Sequence, residues 1–203
     1  MTGIDDSLLA RARRLLVPGE RRLLGVTGAP AAGKSTVASA LVAALHPDAV
    51  LVPMDGFHLA QRELERLGRT ERKGAPDTFD SAGFVALMRR LGAAAESVVY
   101  APEFRREIEE PIAGAIPVPR EVPLVVVEGN YLLLDELPWR ELAPLLAETW
   151  YLDPDESTRI SRLVARHMAF GRDEAEAIGR ALGSDQRNAE LILATRTKAT
   201  VIV

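Results

Sequence analysis

The stretch GAPAAGKS, residues 28–35, constrains the fold of this chain more than any other feature of its sequence. Its spacing of Gly28, Gly33, Lys34 and Ser35 fits the pattern G-x-x-x-x-G-K-[ST], in which a glycine-rich turn points backbone N–H groups at phosphate oxygens. An apolar run of strand length precedes this loop, and apolar residues at helical spacing follow it. The sequence therefore predicts a strand, a phosphate-binding loop and a helix whose positive dipole end faces the loop.

The candidate phosphate-binding residues of this P-loop share one short turn. They are Gly28, Ala29, Ala31, Ala32, Gly33, Lys34, Ser35 and Thr36. An ordinary glycine-rich turn is the alternative interpretation, and the order of strand, loop and helix argues against it.

Composition limits the class of protein. With 203 residues, 47% of them hydrophobic, the chain suits a single domain over residues 1–203 with a substantial core. It contains no cysteine, which excludes disulfides, cysteine-zinc sites and thiolate catalysis. The net charge of −4 argues against broad nucleic-acid binding. Because we find neither a bilayer-spanning run nor a signal-peptide pattern, we expect a cytoplasmic protein without membrane or nucleic-acid partners.

Strand-like and helix-like segments alternate along the chain, which indicates a parallel sheet with helices on both faces. The predicted strands are LLGVT (23–27), 49–54, 97–101, 123–129, 148–153 and the terminal TVIV (200–203). The predicted helices are 4–17, 34–45, 58–67, 81–92, 138–147, 155–170 and 173–194, the last broken near Gly183. Pro and Gly concentrate in 102–123, which reads as an irregular surface excursion.

Two carboxylates follow predicted strands and are expected at the same edge of the sheet as the P-loop. Asp55 comes after the strand 49–54, and Glu128 ends the run PLVVVE. Phosphoryl transfer needs Mg²⁺, a positioned acceptor and cations around the developing charge. We expect Ser35 and Glu128 to hold the metal and Asp55 to act as the base. The alternatives are that Asp55 only caps a helix or turn, and that Glu128 is a carboxylate at the end of a strand that binds no metal.

The helix predicted over 155–170 carries Arg159, Arg162 and Arg166 on one face. Asp155 can pair with Arg159, whereas the other two arginines have no carboxylate four residues away. This pattern is expected of a small helical lid, about 155–172, that closes over phosphates and that Arg172 could join. A solvated basic face is the alternative.

Candidate acceptor contacts flank Asp55 and occupy the loop RKGAPDTFD. They are Phe57 and His58 on one side, and Arg72 and Lys73 on the other, with Asp55 and Glu128 between them. Two alternatives remain open: His58 only caps a helix, and residues 72–80 form an ordinary connecting loop.

The motifs GAPAAGKST, MDGFHL, RKGAPDTFD and VVVEGNYLLLDELPW together resemble the P-loop small-molecule kinases related to uridine kinase, phosphoribulokinase and bacterial pantothenate kinase. Within this group the chain is most similar to bacterial proteins labelled fructose transport system kinases. The resemblance covers roughly residues 20–203 and implies the P-loop NTPase fold of the α/β class. It implies an ATP- and Mg²⁺-dependent kinase that acts on a hydroxyl of a small polar metabolite such as a sugar, a nucleoside or a pantothenate-like compound.

The resemblance also implies roles for individual residues. Lys34 and Ser35 are expected at the phosphates, Asp55 as the catalytic aspartate, and Arg162 and Arg166 as catalytic lid arginines. Glu128 matches the acid of the family's EG pair. The segment PEFRREIEEP, in contrast, lacks the Tyr-containing acceptor motif of uridine kinases.

Two rival functions remain open. A nucleotide-dependent regulatory switch of the GTPase type lacks an N-K-x-D segment for base reading. A nucleoside-monophosphate or dephospho-CoA type kinase would use Arg72 and Lys73 to bind an acceptor phosphate and would need no base.

Overall fold

A fully buried interior strand organises the fold, which a computed structural model describes for residues 4–203. β5 (Leu124–Glu128) is buried along its whole length because both faces of the sheet are covered. The other strands of the same sheet are β1 (Arg22–Gly28), β2 (Ala49–Pro53), β6 (Glu148–Leu152) and β7 (Val201–Ile202). Within the described residues, these five parallel strands lie in the order β2-β5-β1-β6-β7.

Helices cover both faces of this sheet, as the sequence predicts. The helices are α1 (Asp6–Arg13), α2 (Lys34–Leu45), α3 (Gln61–Arg66), α4 (Ser81–Ala93), α5 (Glu156–Ala169), α6 (Glu174–Leu182) and α7 (Ser184–Leu193). On one face, Leu24 and Trp150 of the sheet pack with Leu41 of α2. On the other face, Val125 packs in the same cluster as Phe84 of α4.

The strand predicted at 97–101 does not join the parallel sheet. β3 (Val98–Arg105) instead pairs antiparallel with β4 (Glu110–Pro119) in a separate two-stranded hairpin. The prediction of an irregular excursion over 102–123 is therefore wrong, although this segment does contain the prolines and glycines that suggested it. Prolines 111, 117 and 119 remove backbone donors, and a two-stranded ribbon tolerates this because each strand has a free edge.

Two helix predictions also need correction. The segment 138–147 forms two short 3-10 turns, Trp139–Glu141 and Ala143–Leu145, because Pro144 cannot donate within a longer helix. The segment predicted as a helix from 58 begins only at Gln61, after a 3-10 turn over Met54–Phe57. The break near Gly183 lies where the sequence predicts it, between α6 and α7.

Candidate active site

The P-loop connects β1 to α2 and lines a cavity of about 600 Å³ at the carboxyl edge of the sheet. Gly28 ends β1 with φ +146°, and a Cβ there would lie 2.6 Å from the carbonyl oxygen of Leu152. Gly33 precedes α2 with φ +97°, a conformation that favours glycine. Both glycines are therefore required by the backbone path, and α2 begins with its free N–H groups at the cavity.

Lys34 is the first residue of α2, and only 7% of it is exposed. Its Nζ donates a hydrogen bond to the carbonyl oxygen of Ala29 at 3.1 Å. Burial lowers the pKa of Lys34, and the negative charges of Glu128 and Asp55 act in the opposite direction. The ammonium thus donates to one neutral acceptor inside the loop, and the two carboxylates act on it from beyond ion-pair distance.

Glu128 and Asp55 line the same cavity as Lys34. Pro53 at the end of β2 is the register partner of Glu128, so Asp55 lies just beyond this pair. Glu128 is 7% exposed, and no ion-pair partner lies within 4 Å of its carboxylate among residues 4–203. Burial raises the pKa of Glu128 to about 7, a shift that Lys34 opposes. A buried carboxylate of this kind is stabilised by any cation that enters the cavity.

Asp55 has an ionic partner, Arg106, that the sequence patterns do not predict. Nη2 of Arg106, in the turn between β3 and β4, lies 3.3 Å from Oδ2 of Asp55. The hairpin thus brings Phe104, Arg106 and Glu109 to the cavity wall. The sequence signal was the cluster RREIEE, which lies in the segment predicted to be irregular.

His58 also lines the cavity, between the rings of Phe79 and Phe104 at centroid distances of 4.1 and 4.7 Å. Its Nδ1 lies 2.8 Å from the carbonyl oxygen of Asp55. Burial lowers the pKa of His58, which favours the neutral ring. Because a carbonyl oxygen only accepts, Nδ1 carries the proton and Nε2 is an acceptor.

Two predicted acceptor contacts are not brought to this cavity. The ring of Phe57 packs against Phe84, with centroids 5.1 Å apart, as part of the core. Arg72 pairs with Asp77 at 2.7 Å and lines a smaller neighbouring cavity. Lys73 does reach the main cavity, where its Nζ contacts the backbone oxygen of Glu109 at 2.8 Å.

Arg162 and Arg166 project from α5 into the cavity. Nη1 of Arg162 lies 3.7 Å from the position that a Cβ on Gly33 would occupy, so the guanidinium reaches the P-loop. Neither arginine has a carboxylate within 4 Å in the part of the chain that the structure describes. Burial, together with the charge of Arg106, lowers the pKa of Arg166.

Arg159 differs from the other two arginines of α5. It is 3% exposed and bonds to Glu156 and Gln186 rather than to Asp155, the partner that the sequence suggested. Arg172 reaches the cavity, and His167 contacts Asp185 of α7 at 2.7 Å. The side of α5 that faces the cavity therefore presents two guanidinium groups without a carboxylate partner among residues 4–203, while Arg159 and His167 contact α7.

Most of the predicted site residues line this one cavity. They are Ala31, Gly33, Lys34, Ser35, Thr36, Asp55, His58, Lys73, Glu128, Arg162, Arg166 and Arg172. Gly28, Ala29 and Ala32 form the inner part of the P-loop and do not line the cavity.

Among residues 4–203, no three His, Asp or Glu side chains are grouped to hold a metal ion by themselves. Within the same range, we find no helix of the length and apolar character that spanning a membrane requires.

A parallel sheet whose first strand leads through a P-loop into a helix, with basic side chains above the loop, is the architecture of the P-loop nucleotide-binding proteins. Comparisons with known proteins extend this class to a family. The chain is 34% identical over 194 residues to a candidate uridine kinase of Schizosaccharomyces pombe, covering 90% of this chain and 83% of the relative. It is 35% identical over 152 residues to an ATP-dependent kinase-like protein of Aspergillus versicolor, covering 70% and 88% of the two chains.

A solved structure that resembles this chain is also that of a kinase. A candidate fructose transport system kinase from Silicibacter sp. TM1040 is 39% identical, with a TM-score of 0.89 and 97% of each chain covered. No family model matches the chain. The chain belongs to the P-loop small-molecule kinases related to uridine kinase, and it is an ATP-dependent phosphotransferase. This confirms the resemblance and the fold class that the motifs predict.

Proposed function

We propose that this protein transfers the γ-phosphoryl group of ATP to a hydroxyl of a small polar metabolite, with Asp55 as the general base. The observation that carries this proposal is the presence of two carboxylates, Asp55 and Glu128, in one cavity with Lys34. One carboxylate is sufficient to help hold a metal ion, so the second is available to the acceptor. A hydroxyl acceptor benefits from a base, whereas a phosphate acceptor does not.

The phosphate end of the cavity is formed by the P-loop and α5. In this proposal, backbone N–H groups from Gly33 to Thr36 and the ammonium of Lys34 bind the β- and γ-phosphates. Arg162 and Arg166 neutralise charge on the γ-phosphoryl group from the opposite wall. The region of about 155–172 acts as the lid of a single kinase domain.

The donor set at this end fits Mg²⁺. Ser35 supplies a hydroxyl and Glu128 a buried carboxylate without an ion-pair partner in the described chain, and hard oxygen ligands of this kind suit the ion together with phosphate oxygens. Mg²⁺ held there would neutralise phosphate charge.

The reaction follows from the position of Asp55. The acceptor oxygen forms a bond to the γ-phosphorus, and the bond from that phosphorus to the β–γ bridging oxygen breaks with its electron pair leaving on ADP. Asp55 takes the hydroxyl proton. Nε2 of His58 accepts a hydrogen bond from a further hydroxyl, and Lys73 borders the acceptor.

The phosphate-acceptor alternative is less well supported. It needs Arg72 and Lys73 together at the acceptor, and Arg72 is paired with Asp77 outside the main cavity.

Substrate screening tests the proposal. ATP consumption is measured with purified protein against sugars, nucleosides, pantothenate and nucleoside monophosphates. We expect turnover with a hydroxyl compound. Turnover of a nucleoside monophosphate alone would replace this function with the phosphate-acceptor one.

The metal assignment has a separate test. Glu128→Gln should raise the Mg²⁺ concentration that gives half-maximal rate, and Glu136→Gln, a carboxylate outside the main cavity, is the control. An unchanged Mg²⁺ dependence in Glu128→Gln would return Glu128 to a structural role.

A further inference from the structure

Arg106 is held over the cavity by the hairpin that carries it. The turn between β3 and β4 is fastened at two points: the backbone N–H of Gln61 donates to the carboxylate of Glu110 at 3.0 Å, and Lys73 contacts Glu109. Both contacts lie outside the guanidinium, so they fix the segment of backbone that carries Arg106. Its side chain lines the cavity beside Asp55.

The contact between Arg106 and Asp55 is single and weak. One nitrogen lies 3.3 Å from one carboxylate oxygen, and the two side chains are 48% and 32% exposed. Ion pairs with this exposure are screened by solvent and are easily exchanged. Among the residues that the structure describes, Asp55 is the one side chain that pairs with this guanidinium.

Lys73, the other cation on this side, is differently placed. Its Nζ lies 3.4 Å from the carboxylate of Glu109 and 5.4 Å from the ring centroid of Phe104. Lys73 is 18% exposed and already neutralised by Glu109. Arg106 is therefore the cation here whose partner can be exchanged.

This arrangement favours an anionic acceptor over a neutral one. A neutral acceptor whose hydroxyl replaced Arg106 at Oδ2 of Asp55 would leave the guanidinium without a counter-charge. The guanidinium already lies close enough to Arg166 for its positive charge to lower the pKa of Arg166. An acceptor with its own anionic group would instead exchange one carboxylate partner of Arg106 for another anion.

We propose that the phosphoryl acceptor is a small hydroxylated anion whose carboxylate or phosphate group binds Arg106 while its hydroxyl binds Asp55. This inference rests on the proposed function and narrows its substrate class. Arg106 then has two roles: it covers Asp55 while the acceptor is absent, and it selects anionic acceptors when they bind. Phosphoryl transfer itself follows the bond changes given above, with the proton passing to Asp55.

Acceptor pairs that differ chiefly in the anionic group test this inference. They are D-glycerate and glycerol, D-gluconate and D-glucitol, pantothenate and pantothenol, and fructose 6-phosphate and fructose. We expect kcat/KM for an anionic member to exceed that of its neutral partner at least tenfold. The first three pairs report on a carboxylate, and the last on a phosphate ester.

Variants of the hairpin assign the discrimination to Arg106. Arg106→Gln should reduce the ratio at least tenfold, mainly through a higher KM for the anionic member. Arg106→Lys should fall between. Arg105→Gln is the matched control, because Arg105 pairs with Glu103 at 3.0 Å and does not line the cavity. Thermal unfolding of each variant checks that the fold is kept.

The outcomes separate this inference from the proposed function. Preferred turnover of a neutral member, or discrimination that survives in Arg106→Gln, overturns the anionic acceptor and leaves a hydroxyl kinase standing. Turnover of no hydroxyl compound, with or without turnover of a nucleoside monophosphate, overturns the proposed function and removes this inference with it.

Discussion

Nζ of Lys34 donates a hydrogen bond of 3.1 Å to the carbonyl oxygen of Ala29, within the same P-loop. This bond spans five residues and holds the ammonium at the cavity, beside the positions where phosphate oxygens are proposed to bind. The lysine is thus oriented by the loop before any substrate enters, which limits the reorganisation that binding requires.

Lys34→Ala should abolish most phosphoryl transfer while the fold remains intact. Loss of one positioned cation at the transferring group costs on the order of 10²–10³-fold in kcat. The free energy of unfolding should change little. The variant loses a hydrogen bond worth about 1 kcal/mol, but it also no longer has to bury the charged ammonium, whose desolvation lowers the pKa of Lys34. Steady-state rates and thermal unfolding measure the two effects.

The control for this variant is Lys198→Ala, since Lys198 pairs with Asp135 and does not line the cavity. Full activity of Lys34→Ala would contradict the role of Lys34 at the phosphates.

Arg162 and Arg166, which have no carboxylate partner in the described part of the chain, give a second prediction. Arg162→Ala or Arg166→Ala should reduce kcat at equal or greater thermal stability, because each change removes repulsion between neighbouring cations. Arg159→Ala, on the same helix, should do the reverse and lower the free energy of unfolding by about 1–3 kcal/mol, since its buried bonds to Glu156 and Gln186 are lost. Loss of stability without loss of rate in Arg166→Ala would assign that residue to the fold.

Local patterns were sufficient to predict the P-loop and the buried strands. Gly33 and Lys34 are adjacent in sequence and in space, and the apolar run before Glu128 has the composition of a strand buried on both faces. These features depend on neighbours along the chain.

The rest of the site depends on contacts between distant residues. Arg106 reaches Asp55 across 51 positions, through a hairpin whose prolines resemble those of a loop. Phe57 follows Asp55 by two residues, yet the 3-10 turn directs its ring into the core beside Phe84. Arg159 shares helical spacing with Arg162, but its contact with Gln186 of α7 buries it. Spacing predicts which residues share a face, and packing decides what covers that face.

His58 gives a prediction about pH. Burial lowers the pKa of His58 from its ordinary value of 6.5 in the folded protein. Below about pH 6.5 the unfolded chain therefore binds a proton that the folded chain does not, so the free energy of unfolding falls as pH decreases through this value. His58→Gln lacks this contribution and should lose less stability between pH 7.5 and 5.5. Denaturant unfolding of both proteins at the two pH values measures the difference, and equal losses would refute a buried neutral imidazole.

Asp55 gives the prediction that decides between the kinase mechanisms. If Asp55 is the base, Asp55→Asn should lower kcat about 10²–10⁴-fold for a hydroxyl acceptor. The Kd for ATP should be nearly unchanged, because Asp55 follows β2 and is not part of the P-loop. The change also frees Arg106 from its contact with the carboxylate. Binding and turnover must therefore be measured separately, by calorimetry with ATP and by single-turnover phosphorylation.

Asp48→Asn provides a matched control, because it makes the same chemical change at an exposed position before β2 and outside the cavity. A phosphate acceptor needs no base, so near-normal turnover of an identified acceptor by Asp55→Asn would remove Asp55 from this role. A lower rate that is recovered at higher acceptor concentration would mean that Asp55 binds the acceptor. A lower rate at saturating acceptor, with ATP affinity kept, is the result that general-base catalysis requires.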